Sequence, residues 1–132
     1  MKMNMSVGYG LMAAGYLAEH ADESCIKADR MSKEYGIPLE FLIKILHEMV
    51  KQNVLSSKRG PGGGFTLARP AKEISLLEII ESAGGPIGHT LPLTELTKET
   101  PLTLNLDKVC KQASDKVASV FGKVNLGQMV GK

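Results

Sequence analysis

Seven residues, Lys58-Arg59-Gly60-Pro61-Gly62-Gly63-Gly64, constrain this 132-residue chain more than any other stretch. In a helix interior the proline alone would cost about 3 kcal/mol and each glycine about 1. Proline is also excluded from a central strand, so the run reads as a turn. It is flanked by two short strand candidates, Val54-Leu55-Ser56-Ser57 and Phe65-Thr66-Leu67-Ala68, and in the second Phe65 and Leu67 share one side. Together these make a β-hairpin with a long glycine-rich tip. A lone hairpin is marginal in water, so this one needs helices to rest on.

Those helices lie upstream. Ser6 to His20 is too dense in Ala, Leu, Met, Gly and Tyr for a one-sided stripe and reads as a buried first helix, with Gly8, Gly10 and Gly15 permitting close helix approach. His20 to Glu23 is a polar loop. Ile26 to Tyr35 reads as a short helix with Ile26, Met31 and Tyr35 inward; Gly36 supplies its left-handed stop and Pro38 suits the first turn of the next. That next helix, 38–52, carries Leu39, Leu42, Ile45, Leu46 and Met49 on one stripe, with Asn53 as its stop. Two helices joined by a short glycine-containing turn form a helix-turn-helix, and the hairpin behind them is a wing.

Downstream, Ser75-Leu76-Leu77-Glu78 is a capping box heading a helix that ends at Gly84-Gly85. Pro86 to Thr103 lacks periodicity and reads as irregular. Leu106, Val109, Ala113, Val117, Val120 and Val124 then recur every three or four residues, as on one amphipathic helix of three to five turns that also carries Cys110. Its apolar stripe needs a partner, and a second copy is the simplest. The expected fold is therefore mainly α with a small β-hairpin: a winged helix-turn-helix domain over 1–84, an irregular segment over 85–104, and a dimerisation helix and tail over 105–132.

An apolar fraction of 43% with 23% charged residues is ordinary for a globular protein. The apolar stretch 11–17 is too short to span a bilayer, and two cysteines without a signal peptide suit a reducing cytoplasm. Charge is more telling. Between residues 44 and 72 stand Lys44, Lys51, Lys58, Arg59, Arg69 and Lys72 against the single acid Glu48, giving +5 in a chain whose net charge is +2. Such a concentration suits an anionic surface.

Duplex DNA is that surface on this reading. A helix fits the major groove, and Pro38, Glu40, Ile43, Lys44 and His47 are the positions expected to face it. Lys44 can donate to guanine or to phosphate, Glu40 can accept from cytosine, and Ile43 can touch a thymine methyl. Each good base contact is worth roughly 1–3 kcal/mol of discrimination. Gly60, Gly62, Gly63 and Gly64 would let the wing backbone approach DNA closely, with Arg59 as the cation inserted in the minor groove. Lys51, Lys58 and Arg69 would neutralise flanking phosphates. A nucleotide-binding enzyme is disfavoured: no Lys-Ser or Lys-Thr follows the glycines, and no catalytic pair appears.

The run from Arg59 to Arg69 resembles the wing of the iron–sulfur cluster regulator family of bacteria, the Rrf-two family. The likeness extends through Gly36-Ile37, Leu42, Tyr9, Ile74 to Ile80, and Val124-Asn125-Leu126-Gly127. It implies a homodimer whose long C-terminal helices cross, two winged domains on one palindromic operator, 38–52 as the recognition helix and Arg59 in the minor groove. It implies a repressor more than an enzyme. Two departures stand out. Ser6 and Gly8 occupy first-helix positions that are often basic in the family. Three cysteines that hold a cluster in many members are absent from Gly85 to Asp107, while Cys110 falls beyond the last ligand position. No cofactor is therefore expected, and members of this kind respond to a protein partner or a small-molecule effector.

Other readings stay open. The winged fold could serve as a protein-interaction module that binds a metabolic enzyme. Cys110 could be a redox switch across a dimer axis or a small apolar side chain in a helix interface, and Cys25 a partly buried loop residue. His89 could join Glu95 or Glu99 on a metal or simply be solvated; His20 and His47 have surface or groove roles.

Overall fold

The computed structural model describes residues 3–87 and 92–131. Its first helix, α1 (Met5–Glu19), is capped by Asn4, whose side chain accepts from the Val7 amide at 3.0 Å. Helix α2 (Ala28–Tyr35) ends at Gly36 with φ 65°, and α3 (Leu39–Lys51) begins directly after Pro38. This is the expected glycine turn: only a residue tolerant of positive φ closes α2 while reversing the chain so sharply. Ile37, buried in that turn, donates from its amide to the Ser32 carbonyl at 3.1 Å and pins the two helices together. Leu42, Ile45, Leu46 and Met49 form the buried side of α3, and Asn53 follows at φ 62°. Met31, Leu46, Met49, Val54, Ile74 and Ile79 are almost wholly inaccessible and make the centre of the core.

The wing is the antiparallel pair β1 (Leu55–Lys58) and β2 (Gly64–Leu67), with Leu55 opposite Leu67 and Lys58 opposite Gly64. Its other edge is not free. Phe65 exchanges two backbone hydrogen bonds with Ile26, of 2.9 and 2.8 Å, so Ile26 belongs to a bridge rather than to α2. A Cβ on Gly64 would lie 2.5 Å from the Ile26 carbonyl oxygen, so this pairing requires glycine there.

Helix α4 (Leu76–Gly84) has the expected capping box, with Ser75 and Glu78 satisfying each other's backbone amides at 3.1 and 2.9 Å. It crosses α1 closely at Gly10. At Gly8 and Gly15, by contrast, an added Cβ would meet nothing within 4 Å, so neither serves such a contact within the protomer.

The C-terminal third departs from expectation in three respects. The stretch read as irregular holds a short helix α5 (Leu93–Leu96), and α6 (Pro101–Gly122) starts earlier than 105 because Thr100 and Thr103 form a capping box with Pro101 at the first turn. At 22 residues, α6 has about six turns, not three to five. It also stops at Gly122, and a separate α7 (Leu126–Val130), capped by Asn125, folds back onto α1 with Leu126 fully buried. Val124 is thus off the helical stripe: its carbonyl accepts from the Leu76 amide at 2.9 Å, while Leu126 donates to the Ile74 carbonyl at 2.8 Å. His89 lies outside the described residues.

The glycines on α1 should respond in opposite directions. A Cβ at position 10 would sit 2.7 Å from that of Ala83, so Gly10→Ala is expected to destabilise by about 1–3 kcal/mol despite its better helix propensity. Gly15→Ala, in open space, is expected to stabilise by up to about 1 kcal/mol. Urea denaturation of both variants checks the pair.

Candidate nucleic-acid interface

Burying Leu42, Ile45, Leu46 and Met49 turns the opposite side of α3 outward, and Pro38, Glu40, Lys44, His47 and Lys51 are all exposed there. At 3.6 residues per turn, positions 40, 44, 47 and 51 share one face, so a single rod presents these four side chains to one groove. Ile43 is different. It flanks that face and is half-buried against the core, which limits it to the edge of any groove. Phe41 joins the candidates only in the folded chain: it is 40% exposed on the first turn of α3, its ring edge-on to Tyr9 at 5.7 Å. Its apolar character suits a core position, and only the angle at which α3 is buried shows otherwise.

The helix and the wing are mechanically joined. The His47 ring meets Phe65 at 5.8 Å and 72°, so an exposed residue of α3 rests on the strand that supports the wing. His20 is also engaged, stacked on Tyr16 at 4.1 Å with Nδ1 2.8 Å from the Tyr16 carbonyl oxygen, which removes it from the free surface.

At the wing tip, Gly60, Pro61, Gly62 and Gly63 form a turn closed by the Gly63 amide donating to the Gly60 carbonyl at 2.9 Å. Pro61 followed by Gly62 at φ 75° is the type II arrangement. Gly60 and Gly62 face open space, but Gly63 is buried and a Cβ there would collide with the Lys58 carbonyl oxygen. Gly63 and Gly64 thus also lack side chains to satisfy packing inside the protein. Lys58 and Arg59 are exposed and form no ion pair among the described residues.

Arg69 is also engaged within the protein. Its guanidinium pairs with the Glu78 carboxylate and donates to the Glu73 carbonyl at 2.8 Å, clamping the chain after the wing to the start of α4. Burial opposes ionisation of Glu78, but the Ser75 amide and Arg69 hold its carboxyl below the ordinary value. Lys51 has only an exposed contact with Glu48 at 3.2 Å, weak enough to yield to a phosphate.

On α6, Leu106, Val109, Cys110, Ala113 and Val120 are exposed and Val117 is half-buried. Leu102, 66% exposed, extends the same face by one turn; it lies outside the sequence-derived stripe because the helix begins earlier than its apolar spacing indicates. Cys25, half-buried before α2, and Cys110 stand on separate elements. Among the described residues no three His, Cys, Asp or Glu side chains gather where a metal could bind. An iron–sulfur cluster calls for several thiolates, and Cys25 and Cys110 are the two cysteines of the sequence. No helix is long and apolar enough to cross a membrane among the described residues.

Comparison with known proteins agrees with this fold. The family model for Rrf2, iron-dependent transcriptional regulator, matches residues 3–132. A Mycobacterium tuberculosis (strain H37Rv) protein named as an HTH-type transcriptional regulator is 30% identical over 133 residues, spanning 99% of this chain and 82% of that one. The HTH-type transcriptional regulator IscR of Xenorhabdus nematophila is 25% identical over 98% of this chain and 79% of its own length. The structure of CymR, the global cysteine regulator of B. subtilis, superimposes with a TM-score of 0.82 at 21% identity, over 99% of this chain and 97% of that one. The winged helix-turn-helix fold is common to them, and the named relatives are regulators rather than enzymes.

The Arg69–Glu78 clamp predicts a pH signature. A carboxyl held below its usual value stabilises the fold fully above the ordinary pKa near 4.5, and that contribution is lost as pH falls through the lower folded value. Arg69→Ala should cost less than about 1 kcal/mol, since the pair is partly exposed. Thermal unfolding at pH 7 and pH 3 should show the difference from wild type narrowing at the lower pH.

Proposed function

The chain belongs to the Rrf2 family of iron-dependent transcriptional regulators, and from that premise we propose that it is a homodimeric repressor reading a palindromic operator. The observation that carries this reading is the shared outward face of Glu40, Lys44, His47 and Lys51 beside an exposed Arg59 that has no ion-pair partner among the described residues. Here α3 enters the major groove, where Glu40 and Lys44 read base edges and Lys51 holds a phosphate. Arg59, beside a turn whose exposed glycines add no bulk, enters the adjacent minor groove, where negative potential is greatest in A·T-rich sequence.

Two copies would assemble through α6. Leu102, Leu106, Val109, Ala113, Val117 and Val120 fall within one sector of the helix, and Val109 and Val120 are 60% and 63% exposed. A continuous apolar strip of this kind calls for a partner, and an identical helix offers a matching one under two-fold symmetry. Two-fold symmetry would then set the two reading helices on half-sites a whole number of DNA turns apart. The donor set favours control by a signal other than an iron–sulfur cluster, with a protein partner or small effector in its place.

Selection of duplexes from a random library by the full chain, followed by gel shift, tests the reading. A palindromic consensus is expected, and Arg59→Ala should bind more weakly and lose its preference for A·T pairs at the outer positions. Val109→Asp should sediment as a monomer. No duplex retained at low salt would contradict the DNA role and favour the protein-interaction module, and a persistent Val109→Asp dimer would displace the interface from α6.

A further inference from the structure

The cations that stand out in the sequence lie between residues 44 and 72, yet the structure also opens a cleft against the wing turn that three other cations line. It has a volume of about 510 Å³, with Gly62 and Gly63 of the wing turn on one side and Ser24, Lys27, Arg30 and Lys33 on the other. We propose that this cleft seats a phosphate of the DNA backbone, held by Lys27 and Lys33. The proposal rests on the DNA reading above and adds a contact surface to it.

Three features converge on an anion. The cleft wall carries three cations against one acid, Asp29. Arg30 is spent internally, donating to Glu23 at 2.6 and 2.9 Å and to the Tyr16 hydroxyl at 2.7 Å, so its charge is matched within the protein. Lys27 and Lys33 are exposed and take part in no ion pair among the described residues. Lys27 stands at the start of α2, which has no side-chain cap, and Lys33 in its last turn. The Gly62 amide, also uncommitted among the described residues, lies across the cleft.

Placement selects a duplex phosphate over a free anion. In a helix-turn-helix the first helix of the pair crosses the DNA backbone while the second enters the groove. Here α2 is that first helix, and the cleft lies where α2 meets the wing turn, so it adjoins both the helix that crosses the backbone and the wing that enters the minor groove on the reading above. A phosphate gripped there would register the wing against the recognition helix without reading a base. Ile26, which also lines the cleft, is the residue that pairs with Phe65, so the cleft is rigidly tied to the wing.

The test uses the full chain and a labelled duplex taken from the random-library selection. Removing one phosphate ligand lowers the slope of log affinity against log salt by about 0.9. The Lys27→Ala, Lys33→Ala double variant should reduce that slope by about 0.9 without changing the selected consensus, and the Lys27→Arg, Lys33→Arg double variant should keep the wild-type slope. An unchanged slope in the double alanine variant would overturn the proposal, as would a changed consensus, which would mean base reading. Wild-type chain that binds no duplex would instead defeat the DNA reading on which the proposal stands.

Discussion

Two backbone hydrogen bonds between Ile26 and Phe65 decide how the wing is aimed against the helix-turn-helix. They join the loop before α2 to the second strand of the wing, converting a two-stranded hairpin that would be marginal alone into a part of the domain. The junction is close enough that Gly64 must lack a side chain, and it delivers the Phe65 ring to the core and to His47. The wing is therefore braced from both sides, by the approach to α2 through the backbone and by α3 through an aromatic edge. A flexible wing would lose entropy on binding; a braced one has been ordered already.

A second junction performs the same task for the C-terminal part. Leu76 donates to Val124 and Leu126 to Ile74, so the end of α6 is hydrogen-bonded to the start of α4, and α7 packs on α1. The long helix is consequently fixed to the body that carries α3 and the wing, while its apolar strip remains outward. In the dimer proposed above, α6 of each copy would be joined to its own α3 through α4 and α1.

Much of this is legible from residues alone. The Gly36 turn, the Asn53 stop, the Ser75–Glu78 box and the hairpin each rest on local chemistry, and local chemistry is what a sequence displays. The corrections share another origin. The Arg69–Glu78 pair is hidden because the two residues are nine apart and their meeting depends on how the chain turns after the wing. Gly63 and Gly64 look like surface glycines because the atoms they accommodate belong to Lys58 and to distant Ile26. The break at Gly122 is concealed because Val124 continues the apolar spacing past the end of the helix. Lys27 and Lys33 are inconspicuous because their significance lies in facing the wing turn, a tertiary fact.

The protein is thus a rigid module with a reading helix and a braced cationic wing, doubled, on the proposed reading, through its C-terminal helix. Hydroxyl-radical footprinting of the selected duplex at nucleotide resolution tests this most directly. Two protected half-sites related by a two-fold axis are expected, each a major-groove segment bordered on its outer side by a protected minor groove. A single asymmetric patch, or half-sites without protection in the bordering minor grooves, would contradict it.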